Sequence, residues 1–168
     1  GADDCGVISL DDPLMGDEAA HARRAFPGAK LAVSIVCRMH RNAVRSPVRS
    51  AANNEFHKVS HEVDDVAREL VRRLEDMGVS AMNPPMAFPM EFDRYPERAW
   101  VVSHKIVAEA AGLGKRGLHR SLIHPKFGSF ILLGTVLVSG GMLVWPLISR
   151  LMRPGQEVGR SARSGAPA

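Results

Sequence analysis

Between Ala111 and Gly134 the chain places three closely spaced glycines, Gly112, Gly114 and Gly117, among Lys115, Arg116, His119, Arg120, His124 and Lys126. Glycine lets backbone N–H groups approach an anion or a flat cofactor closely. Lysine and arginine add charge, and arginine adds a bidentate fork for phosphate. The chemistry this pattern points to is the holding of a large, phosphate-bearing ligand. Two familiar phosphate motifs are excluded by spacing. GLGKRG lacks the GxxxxGK run, followed by Ser or Thr, of a P-loop. It does read GxGxxG, but it follows a helical stretch rather than a strand, and no acid occurs between Glu109 and Glu157 to meet a ribose. A nicotinamide site is therefore disfavoured.

Five residues are candidate proton donors: Tyr95, His104, Lys105, His119 and His124. Histidine is the usual choice for such work because it titrates near neutrality. The plainer reading of each is a surface side chain or one hydrogen-bonded in the core. His57 and His61 stand four apart on a helical stretch, a spacing that two zinc ligands can use. No third ligand has a compelling spacing, so solvated helix histidines are expected there and no metal. The two cysteines, Cys5 and Cys37, form no CxxC. A disulfide scaffold and a four-cysteine zinc or iron–sulfur site within this chain are excluded.

The elements that must position these residues follow from periodicity. Asp17 is placed to cap a short helix, Glu18 to Phe26, rich in alanine and ended by Pro27-Gly28. Ala29 to Met39 reads as a buried strand: Leu31, Val33, Ile35 and Cys37 alternate, with Ala32 and Val36 on the other face. Arg38 to Ser50 is expected to be a basic loop. Ser50 to Gly78 is the clearest helix, with Val59, Val63, Val66, Leu70 and Leu74 in one apolar stripe. Val79 to Met82 is read as a short strand, and Asn83 to Pro96 as a Pro- and Met-rich loop that could wall a pocket. Trp100 to Ala111 reads as a helix and Phe130 to Val138 as a second buried strand. The expected core includes Leu31, Val33, Ile35, Val63, Val66, Leu70, Leu74, Val107, Ile131, Leu133 and Leu137.

The chain has 168 residues, 45% hydrophobic and 24% charged, which suits one globular domain with a core of its own. Aromatics are 5%, too few for a stacking surface of the single-strand-binding kind. Charge is uneven. Residues 1–109 carry a net −3 and residues 110–168 a net +7. The basic third suits phosphate, nucleic acid or an anionic surface, or is simply a solvated face. Phe130 to Ser149 holds no charge, the minimum length for a membrane span. Gly134, Gly140, Gly141 and Pro146 interrupt it, and its first half has strand composition, so a membrane span is not expected. No secretory leader is read, and the expected location is the cytoplasm. The domain is set at 1–138, with 139–168 a divergent apolar, then basic, tail expected to be disordered from Arg153.

AEAAGLGKRGLHRSLIHPKFGSFILLGTVL resembles the epoxyqueuosine reductase family of cobalamin-dependent iron–sulfur oxidoreductases. The matching residues are Ala111 to Gly114, Gly117, Pro125, Phe127, Gly128, Ser129 and Phe130 to Gly134. Upstream, AFPGAKLAVSIVCRM at Ala25 to Met39 is similar to the family's FPxAK segment. The resemblance spans roughly residues 16–138. It implies an α/β (α+β) fold, a nitroreductase-like sandwich of a helix-flanked sheet, as a single domain. It implies cobalamin as cofactor, lying against Gly112, Leu113, Gly114, Lys115, Arg116, Gly117, His119, Arg120, His124, Phe127, Gly128 and Ser129. His104, Lys105 and Tyr95 are then the catalytic candidates.

The family's eight cluster cysteines have no counterpart after Val138, so no 4Fe–4S cluster is expected in this chain, and its electrons would come from a separate ferredoxin-like donor. The family's catalytic aspartate has no match either; Asp93 and Glu97 lie out of register. The expectation is a truncated cofactor-binding domain of that reductase lineage, its end read as a truncated or out-of-frame product. The alternative is a non-catalytic module that binds an anionic ligand, tRNA or a partner protein.

Overall fold

A computed structural model describes residues 1–86, 100–141 and 145–151. The sheet is built around two long apolar strands, β2 (Leu31–Arg38) and β6 (Ile131–Val138), paired antiparallel with Ser34 opposite Thr135 and Ile35 opposite Gly134. β1 (Asp4–Ser9) pairs antiparallel with β2, and the two-residue β3 (Ala81–Met82) pairs antiparallel with β6, giving the order β1-β2-β6-β3. Every residue of β2 except Arg38 is buried. A strand covered on both faces reads as a continuous apolar run rather than a strict alternation, and helices supply that cover here.

On one face lies α3 (Arg49–Asp76). Its Val59, Val63, Ala67, Leu70 and Leu74 pack on Leu31, Val33, Ile35, Cys37, Val136 and Val138. On the other face, α1 (Glu18–Ala25) and α4 (His104–Ala110) bring Ala19, Ala22, Val107 and Ala110 against Ile8, Ala32 and Leu137. Each valine, leucine or isoleucine so buried contributes about 1.5–3 kcal/mol. A third cluster, Val36, Ala108, Leu113, Leu122, Phe127 and Ile131, seats a small hairpin of β4 (Lys115–Arg116) and β5 (Leu122–Ile123). The helix-flanked α+β sheet sandwich is the fold expected from the sequence.

Several expectations are corrected. β1 and the 3-10 turn Pro13–Met15 were not foreseen, because the acids around them mask the period-two series Gly6, Ile8, Leu10, of which all three are buried. The basic loop after Arg38 contains a short helix, α2 (Arg41–Val44), started where the Glu55 carboxylate accepts the His40 backbone N–H at 2.6 Å. α4 begins at His104 rather than Trp100: Glu18 accepts the Ser103 N–H at 2.7 Å and holds Ser103 extended as the N-cap. Asp17 makes no side-chain cap bond to α1. Val66 and Leu133 are half-buried at the rim of the core. After Val138 the chain adds α5 (Trp145–Leu151), whose Ile148 is wholly buried in the α3-side core. Among the described residues no helix is long and apolar enough to cross a membrane. Tyr95, most of the Pro- and Met-rich loop, and the chain beyond Leu151 lie outside the described residues.

Candidate functional site

Arg38 is where β2 leaves the core, and at that end of the sheet two basic segments meet. Met39 donates its N–H to the Phe130 carbonyl at 2.8 Å, which ties the exit of β2 to the entry of β6. The preceding turn is closed by His124 and Gly128, which exchange backbone hydrogen bonds of 2.9 and 2.8 Å. Phe127, within that turn, is buried against Val36, Leu113, Leu122 and Ile131. The Arg38 guanidinium lies 6.0 Å from its ring centroid and the Lys126 ammonium 5.2 Å; the Arg45 guanidinium lies 5.3 Å from the Phe130 centroid. Such stacking holds cations over aromatic faces while leaving them hydrated on the outer side. Arg38, Arg45 and Lys126 are all exposed.

His124 organises the turn. It is buried, and its ring stacks on Phe127 at 4.8 Å. Its Nδ1 accepts the N–H groups of Lys126 (3.1 Å) and Phe127 (3.3 Å). A backbone N–H can only donate, so the network assigns the imidazole proton to Nε2, which donates to Asp4 Oδ2 at 3.1 Å. This histidine serves as a fixed hydrogen-bond hub.

The glycine-rich hairpin is explained largely by its own packing. Gly112, at φ 78°, turns the chain out of α4. A Cβ on Gly114 would stand 2.3 Å from the Ile123 carbonyl oxygen, and one on Gly117 would meet the His119 ring at 2.6 Å. Gly114 lets the hairpin close backbone to backbone, whereas the contacts at Gly117 are with exposed side chains. Gly128 differs: at φ 66° it faces open space, with nothing within 4 Å of where a Cβ would stand. Leu113 is buried; Lys115, Arg116, His119, Arg120 and Ser129 are exposed. Arg116 is paired with Glu109, which also accepts its backbone N–H at 3.1 Å. The Arg116 N–H, helped by its guanidinium, holds the Glu109 carboxyl below its ordinary value against the opposing effect of burial. For a tetrapyrrole-sized group the fit is therefore partial: exposed cations and the open Gly128 suit it, whereas Gly114 is filled by the backbone of the hairpin itself.

His104 belongs to a different neighbourhood. Its Nδ1 meets Thr135 Oγ1 at 2.8 Å in mid-sheet, while Nε2 is buried without a hydrogen-bond partner. Burial pushes its pKa down. The Pro85 carbonyl and the buried Glu18 carboxylate pull it partly back. Ser34 Oγ, on the residue opposite Thr135, is likewise buried and unpartnered. Lys105 next door is exposed. Burial raises the Cys37 thiol to about 12, with Glu62 and Asp3 adding to the shift and the N-terminal ammonium opposing it, so it is no nucleophile. Among the described residues no group of three His, Cys, Asp or Glu could hold a metal.

The residues that sequence reasoning missed are Asp3 and Asp4, and Phe130 as a platform for Arg45. The period-two burial of Gly6, Ile8 and Leu10 was the available sign that the segment holding the two aspartates enters the sheet.

No protein-family model and no curated protein matches the chain. Solved structures do. An epoxyqueuosine reductase with a tRNA-Tyr epoxyqueuosine-modified stem loop is 16% identical, covering 83% of this chain and 42% of that one, with a TM-score of 0.43. The epoxyqueuosine reductase from Bacillus subtilis is 16% identical with the same coverage and a TM-score of 0.42. That from Streptococcus thermophilus is 14% identical, covering 95% of this chain and 45% of that one, with a TM-score of 0.49. The chain spans less than half the length of these structures.

Proposed function

We propose that this chain is a binding module whose basic sheet end takes the phosphate backbone of an RNA stem loop. The observation that carries the reading is the convergence of Arg38 and Arg45 with Lys126, from segments about 80 residues apart in sequence, over Phe127 and Phe130. Cations held in place but open to water suit phosphate oxygens. Such a role places the protein in the cytoplasm and needs no redox group.

The test is fluorescence anisotropy with a labelled RNA stem loop across salt. Affinity is expected to fall steeply between 50 and 200 mM salt, in the manner of about 0.7–0.9 released counterions per phosphate contact. Arg45→Ala and Lys126→Ala should each lower the slope by about one. Salt-independent binding, or slopes unchanged in both variants, overturns the reading.

A second reading is favoured by the open face of Gly128 within a segment, Ala111 to Gly134, that resembles the epoxyqueuosine reductases. In it the chain is the cofactor-binding part of a cobalamin-dependent reductase lineage, lacking its clusters and served by a separate ferredoxin-like donor. Cobalamin would supply the reductive chemistry. Lys115, Arg116, His119, Arg120 and Lys126 would bind its phosphate and side amides, with Gly128 permitting close approach. His104, whose protonation burial disfavours, would be a poor proton donor there. Stoichiometric retention of added cobalamin, seen in the visible spectrum after desalting, supports this reading; its complete loss removes it.

A further inference from the structure

Two adjacent aspartates hold the two halves of the basic end in different ways. Asp3 Oδ2 accepts the Arg38 backbone N–H at 2.9 Å, and its Oδ1 lies 3.0 Å from Arg38 Nε. The carboxylate thus covers two donors that a phosphate would use, while the Arg38 side chain stays 59% exposed and within reach of a ligand. Asp4 never touches a cation of the site. It accepts from His124 Nε2, and His124 in turn sets the Lys126 and Phe127 N–H groups through Nδ1. The backbone separates the two roles. Asp3 donates its N–H to the Val36 carbonyl just outside β1, and Asp4 is the first residue of the strand.

We infer that Asp3 is a built-in competitor, a carboxylate seated where a ligand phosphate binds, and that Asp4 is a positioning residue that builds the Lys126–Gly128 turn. The inference rests on the RNA-binding reading for its natural ligand. Its sharp consequence is opposite signs. Removing either charge adds one positive unit to a protein that binds an anion, so simple electrostatics strengthens binding in both variants. The structure requires Asp3→Asn to strengthen it and Asp4→Ala, which removes the acceptor for His124 Nε2, to weaken it.

The experiment measures RNA stem-loop affinity at low salt for the full chain and for Asp3→Asn, Asp4→Ala and Asp17→Asn. Asp17, exposed and making no cap bond, reports the bare charge effect. Asp3→Asn should bind about two- to five-fold tighter than Asp17→Asn, the range expected for an exposed ion pair released. Asp4→Ala should bind weaker than wild type, with circular dichroism confirming the fold. Nitrogen NMR reads the contacts without RNA. In wild type His124 should show a protonated Nε2 and a bare Nδ1, and Asp4→Ala should shift the Nε2 signal as its acceptor is lost. Inorganic pyrophosphate should shift the Arg38 N–H signals at lower concentration in Asp3→Asn than in wild type. Equal affinities of Asp3→Asn and Asp17→Asn, tighter binding by Asp4→Ala, or a protonated Nδ1 in wild type overturns the inference. Pyrophosphate and imidazole signals as expected, with no RNA bound by any variant, uphold it and overturn only the choice of RNA.

Discussion

Burial decides what His104 does. Its ring sits between α4 and the sheet with one nitrogen on Thr135 and the other unpartnered, and burial lowers its pKa from the usual 6.5. The sign of the linkage follows. Above about pH 6.5 the imidazole is neutral in both folded and unfolded chains and contributes no pH dependence. Below it the unfolded chain takes up a proton that the folded one resists, so stability falls as pH falls, by at most about 1.4 kcal/mol per pH unit. His104→Gln removes the titration. In urea unfolding between pH 7 and 5 the variant should lose less stability than wild type, whatever its offset at pH 7. Parallel pH curves would show that His104 ionises freely in the fold. One of the sequence's five proton-donor candidates is thus a largely buried group whose protonation the fold disfavours. Its one-letter neighbourhood, SHK, gives no sign of the Thr135 partner 31 residues away.

α3 lies so close to β6 that a glycine is required between them. A Cβ on Gly134 would stand 2.6 Å from Val63 Cγ1, well inside contact distance. Gly134→Ala should cost about 1–3 kcal/mol through overpacking. Val63→Ala alone opens a gap and also destabilises, but the pair should be better than the sum, because the truncated Val63 makes room for the new methyl. A denaturant double-mutant cycle with no coupling would refute the close approach.

Elements of this kind were legible: α3, β2 and β6 announced themselves through long runs of apolar periodicity, and most core residues follow from it. β1 was not, because Asp3, Asp4, Asp11 and Asp12 dilute the alternation of Gly6, Ile8 and Leu10. The site was legible in composition only. Lys126, Phe127 and Gly128 stood out, but the carboxylate that orders them is 120 residues from His124, and pairing at that distance leaves no trace in spacing.

At the scale of the molecule, the sheet needs cover on both faces, and the sequence divides the chain at Val138 where the structure continues to build. The basic end, the hairpin and α4 crowd one face and one end; α3 alone spans the other face until α5 arrives with Ile148. A side chain exposed to 0% and packed among Leu31, Val138 and their neighbours is core, not tail. If so, Ile148→Ala should lower stability by about 2–5 kcal/mol, the cost of a large-to-small change in a packed interior. It should do so without altering RNA affinity at saturating fold, since Arg38, Arg45 and Lys126 are held by contacts in which Ile148 has no part. A substitution in a solvated tail changes stability by less than about 0.5 kcal/mol. The thermal or urea midpoint of this one variant therefore decides whether the folded unit ends with β6 or takes in the helix that follows, and an unchanged midpoint would return α5 to the tail.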